Sequence, residues 1–209
     1  RVVAVELDGR LLPVLESELS GLDNVELVHG DVLELDPADW FAAPYVVVAN
    51  VPYYITGAIL RHLLGSWPRP RRLVLTVQRE VADRLTARPP EMSLLAVGVQ
   101  HYGRVRLVSG VRAGAFWPRP EVDSAVVRID VDARHLAARS PEAEAAEAAF
   151  FRVVRAGFSE KRKQLKNNLR HLGHDDAAIG AALARAGVDG RRRAETLTVA
   201  EWAALSELL

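Results

Sequence analysis

Asn50, Pro52 and Tyr53 stand together in the stretch YVVVANVPYYI, residues 45–55. An amide, a proline and a phenol ring at this spacing suit methyl transfer to a planar amino nitrogen. The lone pair of such an amine is delocalised into its ring, so the nitrogen is a poor nucleophile. The Asn50 side-chain oxygen and the Val51 carbonyl can accept both amine protons and draw the nitrogen toward tetrahedral geometry. Tyr53 can stack on the ring and hold it in line with the donor carbon. A sulfonium donor is already activated, so the step needs no metal, thiolate or histidine base. A base held in a helix or loop stack has to swing out to reach such a site, which is why stacking aromatics are needed. Phe116, in the stiff loop FWPRP at 116–120, is the candidate for the opposite face.

The elements that position these groups are strands. Tyr45 to Ala49 is an unbroken apolar run rich in β-branched residues, a pattern that predicts burial on both faces in the centre of a parallel sheet. Pro52 cannot continue the ladder, so the motif falls just past the carboxyl end of the strand, where open α/β sheets bind ligands. An ordinary strand-to-helix turn with incidental tyrosines fits this stretch alone equally well. Val2 to Val5 reads as a second buried strand ending in Glu6-Leu7-Asp8. Glu6 is placed to accept from ribose hydroxyls, and Asp8 is expected to cap the helix that follows. Pro13 would sit past the first turn of that helix, which predicts a late start or a kink. Asn24 to His29 reads as a third strand, followed by Gly30-Asp31. Asp31 can accept from an adenine amino group, with Val32 and Leu7 against the ring faces. This order of strand tips suggests an adenosine-containing ligand, with Asn50 at its reactive end.

Thr56 is expected as the cap of a helix ending near Gly65. Strand 73–77, helices 80–87 and 93–102, and a closing strand pair at 105–111 and 122–129 follow. After Asp132 the pattern turns helical, at roughly 142–157, 161–171, 175–186 and 198–208, which predicts a boundary between 131 and 140. The domains are then 1–133 and 134–209.

Composition narrows the classes. The 209 residues include no cysteine, so no disulfide framework, thiol nucleophile or thiolate metal site is available. No apolar run approaches the ~20 residues of a membrane span, and the start lacks a signal-peptide pattern, which fits a cytoplasmic protein. His171 and His174 have no partners that would complete a zinc pattern, and hydrolase and nucleotide-triphosphatase motifs are absent. Net charge is zero but uneven: residues 1–60 hold two basic against ten acidic residues, or −8, whereas 152–193 hold eleven against four, or +7. That division suggests a small cationic ligand at the acidic front and a polyanion behind it.

The segments VVAVELD, HGDVLELD, ANVPYYIT, VQREVADRL and FWPRPEVDSAVVRI resemble the bacterial ribosomal RNA adenine dimethyltransferase family across nearly the whole chain. GFSEKRKQLKNNL favours its small-subunit branch over the macrolide-resistance branch that acts on 23S rRNA. The resemblance implies an α/β fold, a Rossmann-like class I methyltransferase sheet with a small all-α C-terminal domain. It implies S-adenosyl-L-methionine as methyl donor and, as partner, 16S rRNA in the small ribosomal subunit or its precursor, with two neighbouring adenosines dimethylated by a monomer. By position, Glu6 meets the donor ribose, Asp31 the donor adenine, and Asn50 both donor and target amine, while Tyr53 and Phe116 clamp the target base. Arg119 and the run Lys161, Arg162, Lys163 and Lys166, which with Arg170 is expected on one helix face, are candidates for RNA phosphates. The family also has a first strand and a glycine-rich loop ahead of VVAVELD, whereas this chain starts at Arg1 and holds no G-x-G-x-G. An N-terminally truncated methyltransferase domain, a sheet without its central strand, and poor or absent donor binding and activity in these 209 residues are therefore expected, and a non-catalytic ribosome-assembly or RNA-binding factor is the rival from another class.

Overall fold

The computed structural model describes residues 1–137 and 140–209. Val2–Glu6 (β1) and Val25–His29 (β2) run parallel, with Glu6 opposite His29, and Leu12–Leu19 (α1) connects them. Val46–Asn50 (β3), Arg72–Gln78 (β4), Gly103–Val111 (β5) and Ser124–Val131 (β6) form a second sheet in the order β3-β4-β6-β5. Its β3–β4 pair is parallel and needs a crossover, which Thr56–Gly65 (α2) supplies. Arg79–Thr86 (α3) and Leu94–Tyr102 (α4) lead into β5, and β6 lies antiparallel between β4 and β5. The result is a Rossmann-like α/β arrangement divided into two sheets.

Several local expectations fail. Val2–Val5 is not a buried strand, with Val2 49% and Val5 38% exposed on a sheet of only two strands. Asp8 does not cap α1. Its carboxylate accepts from the Arg10 backbone N–H at 3.0 Å and pairs with the Arg10 guanidinium. The helix starts late, at Leu12, with Pro13 in its first turn, where no backbone donor is required. Thr56 lies inside α2 as its first residue, and its hydroxyl turns back on the Pro52 and Tyr53 carbonyls at 3.4 and 3.3 Å. Burial of β3 on both faces also fails. Val47 and Ala49 face the core, but Val46 and Val48 point to the opposite face, which no described element covers, and Val48 is 78% exposed; β3 is also the edge of its sheet and not its centre.

Two apolar clusters hold the molecule together. In the first, Leu60 and Leu64 of α2 meet Leu73, Leu75 and Val77 of β4 and Val127 and Ile129 of β6. Burying each such side chain contributes about 1.5–3 kcal/mol. The second is built on Pro141–Gly157 (α5), Leu165–Leu169 (α6), Asp176–Arg185 (α7) and Val199–Ser206 (α8), with Trp202 and Phe150 at its centre. Helix α4 serves both clusters: Val99 and Tyr102 join the first, Ala96 and Val97 the second. A polar tie runs beside it. Arg69 pairs with Glu147 of α5 at 2.5 Å, and the Tyr102 hydroxyl donates to the other Glu147 oxygen at 2.8 Å.

The helix expected over 161–171 is shorter than its pattern. Residues 158–164 form a turn, because the buried Asn168 amide donates to the Gly157 and Glu160 carbonyls at 2.6 and 3.0 Å and draws the chain round.

Candidate active site

Asn50 closes β3, and the Val51 N–H donates to the Thr76 carbonyl at 3.1 Å, keeping the chain on β4 for one more residue. Pro52 then turns it away, and a single 3-10 turn, Tyr53–Ile55, closes with the Ile55 N–H on the Pro52 carbonyl at 3.2 Å. Asn50 is exposed, and no hydrogen bond among the described residues engages its side chain or the Val51 carbonyl. The two acceptors that the chemistry needs are therefore uncommitted.

Tyr53 is half-buried, and its hydroxyl lies 2.6 Å from Oγ of Ser124, a residue almost wholly buried at the start of β6. The neighbouring Asp123 fixes the aromatic loop. Its carboxylate accepts from the Ala113 N–H at 2.9 Å, and its carbonyl accepts from the Arg79 N–H at 2.9 Å. The Phe116 N–H donates to the Ala113 carbonyl at 3.2 Å, closing a turn that holds the half-buried Phe116. The V-D-S at 122–124 thus secures both candidate ring partners: Asp123 holds the loop that carries Phe116, and Ser124 holds Tyr53. Sequence reasoning misses both roles, and the one signal for them is that Asp123 and Ser124 adjoin the aromatic loop within a single motif.

Glu6 and Asp31 lie at the carboxyl ends of β1 and β2, joined by the Gly30 N–H on the Glu6 carbonyl at 3.0 Å. Each carboxylate is oriented by a backbone N–H two residues on, Asp8 to Glu6 at 2.7 Å and Leu33 to Asp31 at 2.9 Å. One oxygen of each remains without a hydrogen bond among the described residues. Leu7 is exposed and Val32 is half-buried against the first core cluster. Two carboxylate acceptors with an apolar residue beside each fit the adenosine half of a sulfonium nucleoside. The structure brings Asn50, Tyr53 and the Phe116 loop together on one sheet. Glu6, Leu7, Asp31 and Val32 gather on the other, and no described hydrogen bond joins the groups directly. The segment after β2 bridges them, through His62 Nε2 of α2 against the Leu35 carbonyl at 2.9 Å.

The basic candidates separate. Lys161, Arg162 and Lys163 lie in the 158–164 turn and Lys166 in the first turn of α6, so they do not share one helix face. All four are exposed and make no ion pair among the described residues, as is also true of Arg119. Arg170 is taken by Asp176, with two hydrogen bonds of 2.7 Å. One cluster has metal-ligand composition: ligand atoms of His101, His135 and Glu147 lie within 4.8 Å of one another. Both Glu147 oxygens are engaged by Arg69 and Tyr102, and the guanidinium opposes a second cation. Burial pushes His101 down to about 3, with His135, Arg134 and Arg69 adding repulsion, so its ring is neutral. The cluster reads as a structural tie between α4 and α5.

The chain matches the family model described as ribosomal RNA adenine dimethylase over residues 1–209. It is 42% identical to the ribosomal RNA small subunit methyltransferase A of Dehalococcoides mccartyi, over 97% of this chain and 69% of that protein. Identity to the protein of the same name from Moorella thermoacetica is 43%, over 100% of this chain and 75% of that one. Among solved structures, the crystal structure of the 23S rRNA methyltransferase ErmE is similar with a TM-score of 0.74 and 29% identity, over 100% of this chain and 82% of that chain. A dimethyladenosine transferase from Plasmodium falciparum aligns with a TM-score of 0.79 at 21% identity, covering 98% of this chain and 80% of that one, a likeness of fold alone.

Proposed function

This chain belongs to the ribosomal RNA adenine dimethylase family, and from that premise we propose that it dimethylates two adjacent adenosines near the 3′ end of 16S rRNA, with S-adenosyl-L-methionine as donor. The observation that carries this reading is the uncommitted pair of acceptors at Asn50 and Val51, next to a tyrosine held at its hydroxyl by Ser124. The donor, when bound, supplies an activated methyl carbon. The chain's own residues do the rest. Glu6 and Asp31 accept from the donor's ribose and adenine, while Leu7 and Val32 line its ring. The Asn50 and Val51 oxygens accept the amine protons and raise the electron density on the nitrogen. Tyr53 and Phe116 hold the base between them, and Pro52 keeps the Asn50 turn in place without a donor of its own. Residues 134–209 act as the RNA-binding unit, with Lys161, Arg162, Lys163 and Lys166 on phosphates and Arg119 on the backbone near the target.

The small-subunit substrate is favoured over a 23S substrate by the 42–43% identity to relatives named for the small subunit, against 29% to ErmE. No described helix is long and apolar enough to cross a membrane. We take the protein to act as a monomer on small-subunit particles. The test is methyl incorporation into isolated 30S and 50S particles by the full-length protein and by its Asn50→Ala variant. Incorporation into 30S alone is expected, with a loss on the order of 10²-fold or more in the variant and an unchanged circular dichroism spectrum. Unchanged incorporation by the variant removes Asn50 from the mechanism. Absence of any donor binding or methyl transfer by the parent turns the reading toward a non-catalytic assembly factor.

A further inference from the structure

We propose that Trp117 and Tyr54 form a second pair of stacking platforms, outside the one that grips the target, and that they hold the unpaired bases flanking it. The inference rests on the RNA-methylating reading above and specifies the form of RNA that the site takes. Trp117 is 97% exposed and Tyr54 is 85% exposed. Each directly follows a ring assigned to the target base, Trp117 after Phe116 and Tyr54 after Tyr53. The remaining tryptophans are used otherwise: Trp202 is buried, Trp67 is half-buried, and Trp40 donates to Glu26 at 2.9 Å. A bare indole on a loop gives up favourable burial and leaves its ring open to a stacking partner.

Both platforms stand on constrained backbone. The loop of Trp117 is pinned through Asp123 to the Ala113 and Arg79 N–H groups, and Pro118 and Pro120 stiffen it. Tyr54 is the middle residue of the closed 3-10 turn. Rings held in this way lose little freedom on binding. Arg112 and Arg119 lie on either side of Trp117 in sequence, both exposed and without an ion pair among the described residues, so phosphates can be met on both sides of the ring. The chemistry of the reaction supplies the occupant. Turning one adenosine out of its stack leaves its neighbours with bare faces, and an aromatic ring restores that stacking whatever the base. When the target is one of two adjacent adenosines, the second is such a neighbour. A base inside a duplex has no free face to offer.

The test uses the intrinsic fluorescence of the full chain and a single-stranded RNA oligonucleotide carrying two adjacent adenosines, alongside the same oligonucleotide annealed to its complement. The single strand is expected to quench the exposed-tryptophan emission, and the duplex to leave it unchanged. Trp117→Ala is expected to weaken single-strand binding, followed by anisotropy of a labelled oligonucleotide, by roughly 5- to 150-fold. Trp117→Phe keeps a ring and should retain most of the affinity, and Tyr54→Ala should show a loss of the same kind. In methylation assays the Trp117→Ala loss falls on KM for RNA with kcat held. Unaltered single-strand affinity in both alanine variants overturns the inference, as does equal quenching by duplex. The underlying reading is tested separately: persistence of methylation in Asn50→Ala counts against that reading and not against the platforms.

Discussion

The hydroxyl of Ser124 holds the Tyr53 ring and its neighbour Asp123 holds the loop that carries Phe116, so two consecutive polar residues anchor both rings proposed to clamp the target base. Ser124 is 1% exposed, and without it the Tyr53 hydroxyl has no partner among the described residues. Ser124→Ala is expected to cost about 1 kcal/mol of stability, read from thermal or urea unfolding. Its larger effect should appear as a higher KM for RNA at unchanged donor affinity, because the tyrosine ring loses its anchor while Glu6 and Asp31 keep theirs. A change confined to stability would make Ser124 a packing residue only.

At the scale of elements, α4 is the hinge of the architecture, since one of its faces enters each apolar cluster. Its His101 stacks on Phe150 of α5 at 3.9 Å between ring centroids, and the ring is neutral in the fold. Its pKa drops from 6.5 in the open chain to about 3, chiefly through burial. The unfolded chain therefore takes up a proton that the native state refuses. Stability is fully present above pH 6.5 and falls as the pH drops below it toward 3, by at most about 1.4 kcal/mol per pH unit. His135, depressed for the same first reason, acts in the same direction. Melting temperatures measured from about pH 7.5 down to about pH 5 should fall, and His101→Phe, which keeps the stack, should flatten the decline.

The strands were legible where apolar, β-branched runs mark them, as in Val2–Val5, Val46–Ala49, Leu73–Val77 and Ala125–Val127, and the order of helices after 140 followed from periodicity. The caps were not: whether Asp8 or Thr56 caps a helix depends on backbone angles that any Asp or Thr can take. The end of α5 and the turn at 158–164 depend on Asn168, whose amide reaches back eleven residues to Gly157, a contact outside any helical period. In the site, Asn50, Tyr53 and Phe116 stood out by type, whereas the service of Ser124 to Tyr53 spans 71 positions and needed coordinates.

Over the whole molecule, the charge division fits the division between donor and RNA proposed above. The acidic front carries β1, β2 and β3, with Glu6, Asp31 and Asn50 at their tips, and unpaired cations gather in the 158–164 turn and at Lys166. Replacing Lys161, Arg162, Lys163 and Lys166 together by alanine should weaken RNA binding across sequences and flatten its dependence on salt. The expected fall in the slope of log affinity against log salt is roughly 0.7 for each phosphate that is no longer neutralised on single-stranded RNA. An unaltered slope would place the RNA elsewhere.

The outer edge of β3 has a wider consequence. Between Pro44 and Pro52 this strand carries no charge, its backbone pairs on one side only, and Val46 and Val48 lie open beside Asn50. Such a margin is a template for another strand, and a strand laid along it would run beside the asparagine proposed above to meet the target amine.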